Sequence, residues 1–493
     1  MKNSIQYFIE KGIPELEKIE RNFMENPIQF DECVKEVESV FLKIACCFVS
    51  ECLEECNRLL ESSLKRRMSW QIKDRSQKNM LTPIGNITYP HTRFIHKETK
   101  ETAYLLDRIL GWEPHTRMSD GVKAGILEEA AQSSYEKAGE SVCQGEDQIS
   151  RETVMRKVRG IEKLPKGKEE VYPKKKVKYL YVEADEDHIA LQYKEKKGDI
   201  KRFQGHADNG QMIKLVYVHE GYIENKEEKK RKKLKNVVYF GGVYQGKENE
   251  KLWKEVKKYI ENQYETEAIE KIYFQSDGGS WMKKGIEVLG GEFVLDEFHI
   301  QKYLKKMSRL GERKTEEERE ETEKKLQEWV EKGEKKELEE WKEKARVGLT
   351  EREEKKLLES WNYISNNWKG VQKRFEKEEG VMGSSTESHI SHVLSARMSS
   401  RPMGWSREGA DKLSQIRIYW KNGGNMQELI QWQGKEKREE EEEETYFSSS
   451  ELLSWEKKHK KTNGKYMEAL QASISPQISK KLAFYKAIAN VCE

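Results

Sequence analysis

Two short apolar runs, each ending on an aspartate and separated by one helix length, constrain the fold of this chain more than any other feature. They lie within residues 273–299 and their immediate flank. IYFQSD ends on Asp277, and FVLDEFH carries Asp296 and His299. Between them, GSWMKKGIEVLGG reads as a single helix closed by a Gly pair. A carboxylate at the C-terminal end of a buried strand is where α/β folds keep their chemistry. A metal-dependent site is therefore the first expectation.

The rest of the chain must be fitted around that pattern. A length of 493 residues exceeds one ordinary domain and predicts three or four. Charged residues reach 36%, yet 12 Trp and 21 Tyr exclude a disordered chain. Core segments must therefore alternate with long charged helices. The net charge is only +3, so any basic surface has to be local. Cys46, Cys47, Cys52 and Cys56 crowd one helical stretch, but no CxxC pair has a distant partner pair. Apolar helix packing is favoured there over zinc. MKNSIQYFIEKG carries no signal-peptide core, and no run of 18 apolar residues occurs. The expectation is a cytoplasmic protein with reduced thiols and no membrane partner.

Residues 1–80 read as an N-terminal helical region, with apolar residues at three- and four-residue spacing. Residues 81–170 combine a hairpin, helices and a basic linker. In the hairpin, Gly85-Asn86 would form the turn and Ile87, Tyr89 and Phe94 the apolar positions. SYEKAGESV and ISRETVMRKVRG then resemble a helix-turn-helix. Ser150 would cap its second helix, and Arg151, Arg156, Lys157 and Arg159 would face DNA; an ordinary charged surface helix is the alternative. From residue 151 to 178, eleven Lys/Arg stand against four acids; such a run is usually a solvated face, and its place beside a candidate metal site adds weight to phosphate contact.

Residues 171–301 change to β. KYLYVEAD (178–185), HIALQYKE (188–195) and MIKLVYVHEGYI (212–223) read as three strands, and VVYFGGVY (237–244) as a further extended segment. The basic run KEEKKRKKLK (226–235) lies between the last two. Helix 249–264 precedes IYFQSD. Three antiparallel-type strands, helix, strand, helix, strand is the order of an RNase H-like α/β fold. Residues 302–380 form a charged helical insertion with Trp329, Trp341, Trp361 and Trp368 as sparse anchors. Residues 381–434 would close the catalytic core. Residues 435–493 hold the acidic run EKREEEEEE (436–444) and a polar tail.

Phosphodiester cleavage near neutral pH needs an activated oxygen nucleophile and stabilisation of developing oxyanion charge. Two Mg²⁺ ions roughly 4 Å apart supply both, with a few carboxylates as protein ligands. An RNase H-like site takes one acid from the first strand, one from the fourth and one from a later helix. Asp185, Asp277 and Glu387 occupy those places in order. Glu183, Asp185 and Asp187 share one strand face. Asp185 is preferred as the apparent strand end, with Asp187 as runner-up. Ser384, Ser385 or Thr386 would cap the helix that carries Glu387. Asp296 and His299, three residues apart, suit phosphate positioning or a capped helix with a structural His. A zinc site from His299, His389, His392 and an acid is a further arrangement that nothing fixes. Arg397, Arg401 and Trp405 suit phosphate clamping and base stacking, or ordinary packing.

The order Asp185, Asp277, Asp296-x-x-His299, helical insertion and Glu387 resembles the DDE transposases of the Mutator-like type. YVEADEDHIALQ, YFQSDGGSWMKKG, LDEFHIQKYL and TESHISHVLSARMSSRPMGWS more closely resemble the ISLre-type bacterial insertion-sequence transposases. The resemblance spans residues 81–405. It implies an Mg²⁺-dependent enzyme, with Mn²⁺ as substitute, that cleaves and joins DNA strands. Asp185, Asp277 and Glu387 would be its metal-binding triad and His299 a further catalytic group. It also implies an N-terminal region that binds element ends, double-stranded DNA partners (terminal inverted repeats and target), a homo-oligomer, and a nucleoid-associated place in a bacterial cytoplasm. The alternatives are an RNase H-like structure-specific nuclease without strand transfer, or a catalytically inactive DNA-binding protein.

Overall fold

A computed structural model describes residues 3–113, 115–143, 148–165, 172–203, 206–223, 233–311, 315–376 and 378–435, together with 488, 490 and 491. The acidic run, most of the tail and most of the 226–235 basic run lie outside these residues. So do the middle of the 151–178 basic segment and the polar break of the helix-turn-helix. The fold is mixed α/β, in two compact units: Met1–Lys163 with Asn425–Glu493, and Leu164–Gly424. No helix among the described residues is long and apolar enough to cross a membrane.

In the first unit the long helix α1 (Phe30–Ser62) packs on an antiparallel hairpin, β1 (Trp70–Thr82) with β2 (Gly85–His96), edged by β3 (Thr102–Ala103). Leu60, Trp70, Met80, Ile87, Tyr89 and Phe94 form its core, with Cys46 and Cys56 packed against them. The strand β1 begins inside the segment expected to be helical. Its sequence is rich in Lys, Arg and Gln, which favour helix locally. Its Trp70, Ile72, Met80 and Thr82 nevertheless lie on the side that β2 and α1 bury. The hairpin turn also lies two residues earlier than expected. Pro83 and Ile84 form it, with Thr82 Oγ1 donating to the Gly85 carbonyl at 2.6 Å, while Asn86 pairs with Leu81 inside the ladder. Among the further helices of this unit are α2 (Asp120–Gln132), α3 (Tyr135–Ser141) and α4 (Arg151–Arg159). Ser119, Ser134 and Ser150 each accept an N-cap hydrogen bond.

The second unit is built on a sheet of β4 (Tyr179–Leu191), β5 (Gly210–His219), β6 (Val238–Gly242), β7 (Lys271–Ser276) and β8 (Glu292–Leu295). Their order is β8-β7-β4-β5-β6. β5 is antiparallel to β4 and β6 to β5, whereas β7 is parallel to β4 and β8 to β7. Helix α5 (Asn249–Gln263) leads into β7, and α6 (Ser280–Leu289) joins β7 to β8. Under one face of the sheet, Leu180, Val182, Ala184, Val216, Val218, Trp253 and Phe274 form a continuous core. Each large side chain there contributes about 1.5–3 kcal/mol relative to exposure.

β4 is one strand where two were expected. No Gly or Pro interrupts EADEDHIAL, and β5 pairs with it as far as Ala190 opposite Gly210. Asp185 therefore lies mid-strand, not at a strand end.

The charged region is a helical cluster with its own core. It comprises α7 (Glu297–Ser308), α8 (Glu316–Lys332), α9 (Lys335–Ala345), α10 (Glu351–Asn366) and α11 (Trp368–Phe375). Thr315 with Glu318, and Thr350 with Glu353, make reciprocal capping boxes that start α8 and α10. Ile300, Leu304, Leu326, Val330, Trp361 and Ile364 bury its apolar stripe, and Trp329, Trp341 and Trp368 pack around them. The chain then forms α12 (Thr386–Ile390), a π-turn (Ser391–Ser395) and a short helix Ala396–Met398. It returns to the sheet as β9 (Gly404–Trp405), parallel to the far end of β4, and ends the unit in α13 (Arg407–Lys421).

Candidate functional site

The register of the parallel strands assembles the acids. Glu183 of β4 pairs with Gln275 of β7, and Ser276 of β7 with Leu295 of β8. Continued to the strand ends, this register sets Asp185, Asp277 and Asp296 in one row. Neighbours in such a row lie about 4.8 Å apart and point to the same face. The Asp296 N–H donates to the Ser276 carbonyl at 3.0 Å, so the row holds past the last paired residues. β7 stops at Ser276 whereas β4 continues, which leaves Asp185 half-buried beside a strand end.

Charge interactions show which groups share the site. Burial pushes the Asp185 carboxyl up to about 7, and the charges of Glu387 and Asp277 push it the same way. The Glu186 N–H, which donates to Asp185 Oδ1 at 2.8 Å, and His299 pull it back. For His299, burial opposes the charged form, but the Asp296 hydrogen bond and the charges of Asp296 and Asp277 prevail. Its pKa is raised. His299 Nδ1 lies 3.0 Å from Asp296 Oδ2, and Asp296 Oδ1 also accepts the Phe298 N–H at the start of α7. Asp296 is thus a helix cap and a histidine partner at once.

Asp277 closes a tight turn. Its Oδ1 accepts the Gly279 N–H at 3.0 Å. Gly278 between them has φ +83°, and a Cβ there would lie 2.7 Å from Asn367 Oδ1. The Tyr363 hydroxyl donates to the Asp277 carbonyl at 2.6 Å, and the Tyr303 ring stacks on Tyr363 with centroids 4.0 Å apart. Both tyrosines come from the charged helical cluster, so that cluster forms one wall of the site. The sequence reading missed them: four tryptophans marked the apolar anchors there, and nothing local distinguishes Tyr363 from another helix residue.

The remaining candidates are distributed as follows. Glu387 is exposed in the first turn of α12. No side-chain cap starts that helix at Ser385; instead the Ser385 N–H donates to Glu183 Oε2 at 2.8 Å. Asp187 accepts from Ser399 Oγ at 2.7 Å, whereas the charges that raise Asp185 most are those of Glu387 and Asp277. Asp185 is therefore the acid that the structure brings beside Asp277, Glu387 and His299. His389 stacks on Tyr217 and lies 2.7 Å from the Tyr239 hydroxyl, and burial lowers its pKa, while His392 is exposed. Arg397 is 6% exposed and lies over the Trp405 ring, whose Nε1 donates to the Met398 carbonyl at 2.9 Å. These two belong to packing rather than to an open phosphate clamp, because burial removes them from a ligand's reach. Arg401 is exposed.

In the first unit, Val154 and Val158 bury the inner side of α4, while Arg151 and Arg156 are exposed and Lys157 and Arg159 half-buried. Arg156 and Lys157 line a hollow of about 380 Å³ with His115, Arg117 and Lys123. A cavity of about 600 Å³ in the second unit opens between α5 and the start of β7, and none of the candidate acids lines it.

Among the described residues, no three His, Cys, Asp or Glu side chains converge on one point suited to a metal ion. The donor chemistry nevertheless fits a hard divalent cation. Asp185, Asp277 and Glu387 offer oxygen only, and a cation would offset both the burial that chiefly raises the Asp185 pKa and the charges of Glu387 and Asp277 that add to it.

A family model for the uncharacterised protein family UPF0236 matches residues 23–436. The UPF0236 protein TTE2489 of Caldanaerobacter subterraneus subsp. tengcongensis is 34% identical over 424 residues, 86% of this chain and 85% of that one. TTE0402 of the same organism is 34% identical over 424 residues, 86% of this chain and 80% of its own. A third relative there, equally similar, bears a name that strings together eleven locus designations. These names state the family and no activity. Among solved structures, the Drosophila P element transposase strand transfer complex matches at 11% identity and a TM-score of 0.22. That match covers 64% of this chain and 82% of that one, and at so low a score it carries no argument. On the extent of the family match and of the relatives, this chain belongs to the uncharacterised protein family UPF0236.

Proposed function

We propose that this chain is a DNA transposase that cleaves and joins strands with an acidic, cation-dependent site on an RNase H-like sheet. The row of Asp185 and Asp277 on adjacent parallel strands, with Glu387 close enough to raise Asp185, is the observation that carries the reading. The strand order supports it: the first acid comes from the first strand of the sheet, the second follows the fourth, and the third lies on a later helix. Eleven locus designations for one relative add support, since many copies in one genome are what a mobile element leaves.

In this reading Asp185, Asp277 and Glu387 would hold the divalent cations, Mg²⁺ or Mn²⁺. Bound there, such ions supply charge for the developing oxyanion and acidify the attacking oxygen. His299, whose protonated form Asp296 favours, would face the scissile phosphate. Water attacks phosphorus at the element end, and the 3′-oxygen leaves as a hydroxyl. That hydroxyl then attacks a target phosphodiester, forming one P–O bond as another breaks. The exposed Arg401, and Arg151, Arg156 and the Lys157 hollow of the other unit, are the proposed DNA contacts.

The test is incubation of purified protein and Mg²⁺ with DNA carrying the ends that flank its own gene, beside Asp277→Asn. Nicks at the ends and joined products, both absent in the variant, are expected. Nicks without joining would indicate a nuclease on the same site. Binding with no product in either sample would leave a DNA-binding protein and overturn the catalytic reading.

A further inference from the structure

Glu183 makes no part of the proposed chemistry, yet it is the most heavily bonded carboxylate near it. It is fully buried, two residues before Asp185 on the same face of β4. Oε2 accepts from the Tyr217 hydroxyl at 2.7 Å, Ser384 Oγ at 3.0 Å and the Ser385 N–H at 2.8 Å. Oε1 lies 2.9 Å from His219 Nε2 and 3.4 Å from Ser385 Oγ. His219 Nδ1 accepts the Gly221 N–H at 3.1 Å, which leaves the ring proton on Nε2 to donate to Glu183. A buried carboxylate ringed by donors on this scale is held in one geometry, and it holds its donors in turn.

Those donors come from two places. Tyr217 and His219 belong to β5, the strand beside Glu183. Ser384 and Ser385 end the segment that brings the chain back from the helical cluster across the sheet face. Three side chains of that face stitch the segment down. The Tyr273 hydroxyl donates to the Glu379 carbonyl at 3.0 Å, the Tyr181 hydroxyl to Gly380 at 2.7 Å and Gln275 Nε2 to Met382 at 2.9 Å. Gly380 passes so close that a Cβ would lie 2.9 Å from the rings of Tyr179 and Tyr273. Glu183 is the last stitch, and it grips the residue two positions before Glu387.

We infer that Glu183 is a positioning residue: through the Ser384–Ser385 turn it fixes where α12 begins and so sets Glu387 against Asp185. The inference rests on the proposed role of Glu387. Glu387 is exposed, so its place depends on its backbone, and the backbone just before it is tied to the strand that carries the first acid. One carboxylate thus couples the first and third acids across 200 residues of chain.

Glu183→Gln tests this. Glutamine keeps one acceptor oxygen and turns two N–H donors toward groups that are themselves donors. The expected result is faster amide exchange confined to residues 383–388, by about tenfold or more, in a folded protein. Mn²⁺ binding measured by calorimetry should weaken by about tenfold, in the range usual for partners that orient ligands. Ser384→Ala, which leaves the Tyr217 and His219 bonds intact, should move both readouts less in the same direction, and it serves if Glu183→Gln fails to fold. In a Glu387→Gln background, Glu183→Gln should cost little further Mn²⁺ affinity, because the two act through one ligand. Unchanged exchange at 383–388 would overturn the inference, as would an undiminished Mn²⁺ loss in the Glu387→Gln background. If the wild-type protein neither binds Mn²⁺ nor cleaves DNA, the catalytic reading fails. The exchange measurement then still decides whether Glu183 holds this turn.

Discussion

The two faces of β4 are buried almost equally and held in opposite ways. Leu180, Val182 and Ala184 point into the core with Trp253 and Phe274, where area and shape decide stability. Tyr181 and Glu183 point to the other face and are also buried, but hydrogen bonds of fixed direction hold them. At Asp185 the polar cover ends, because β7 stops and the returning segment turns into α12. The difference teaches how a fold can keep carboxylates half-buried. A polar network covers the strand up to the site and then leaves the last acid open to one side, where its pKa is raised yet a ligand can reach it.

The largest effect expected from this contrast is on stability. Phe274→Ala empties a fully buried ring position and should cost about 3–5 kcal/mol in chemical denaturation. Asp277→Asn, three residues further along, keeps the acceptor for the Gly279 N–H and removes one repelling charge. It should leave stability within about 1 kcal/mol of wild type, or raise it. Equal losses in the two variants would erase the distinction between the faces.

A smaller effect follows from the Asp185 shift. Its carboxyl titrates near pH 7 in the folded chain against 3.8 when unperturbed. Between these values the folded state binds the proton and the unfolded state does not. Stability is therefore greatest below about pH 4 for this group and is lost as pH rises through about 7. Melting temperature in chelator should fall more steeply over that window in wild type than in Asp185→Asn. Added Mn²⁺ should stabilise wild type more at about pH 7.5 than at about pH 5. Parallel pH profiles for the two proteins would remove Asp185 from the charge cluster.

The positions of Asp277 and Asp296 in the candidate site were legible because their signals are local. Asp277 and Asp296 end short strands whose limits coincide with the apolar runs, and Gly290 and Gly291, both at positive φ, close the intervening helix as their sequence suggests. What depended on distant partners was not legible. Asp185 was chosen as a strand end, whereas pairing with β5 carries the strand on to Leu191. Glu183 was visible as a face-sharing acid, but Ser384 and Ser385 lie about 200 residues away. Tyr363 reaches Asp277 only because the charged helices fold into a cluster with its own core. Residues 70–80 looked helical because their composition is, and only the hairpin partner makes them part of a strand.

The smallest expected effect sharpens the choice between two acids that the strand face alone leaves equivalent. Asp187 accepts a hydrogen bond from Ser399, just beyond the short helix that follows Glu387, whereas Glu387 and Asp277 are the charges that raise Asp185 most. Asp187→Asn keeps an acceptor for that hydroxyl, so stability should change by less than about 1 kcal/mol. Cleavage should fall by no more than a few-fold, whereas Asp185→Asn should reduce it to background. Measured side by side on the same DNA ends, the two variants separate proximity on a strand face from membership of the charge cluster. If Asp187→Asn is the inactive one, the first acid lies two residues further along β4, and the row with Asp277 is a feature of the sheet rather than of the chemistry.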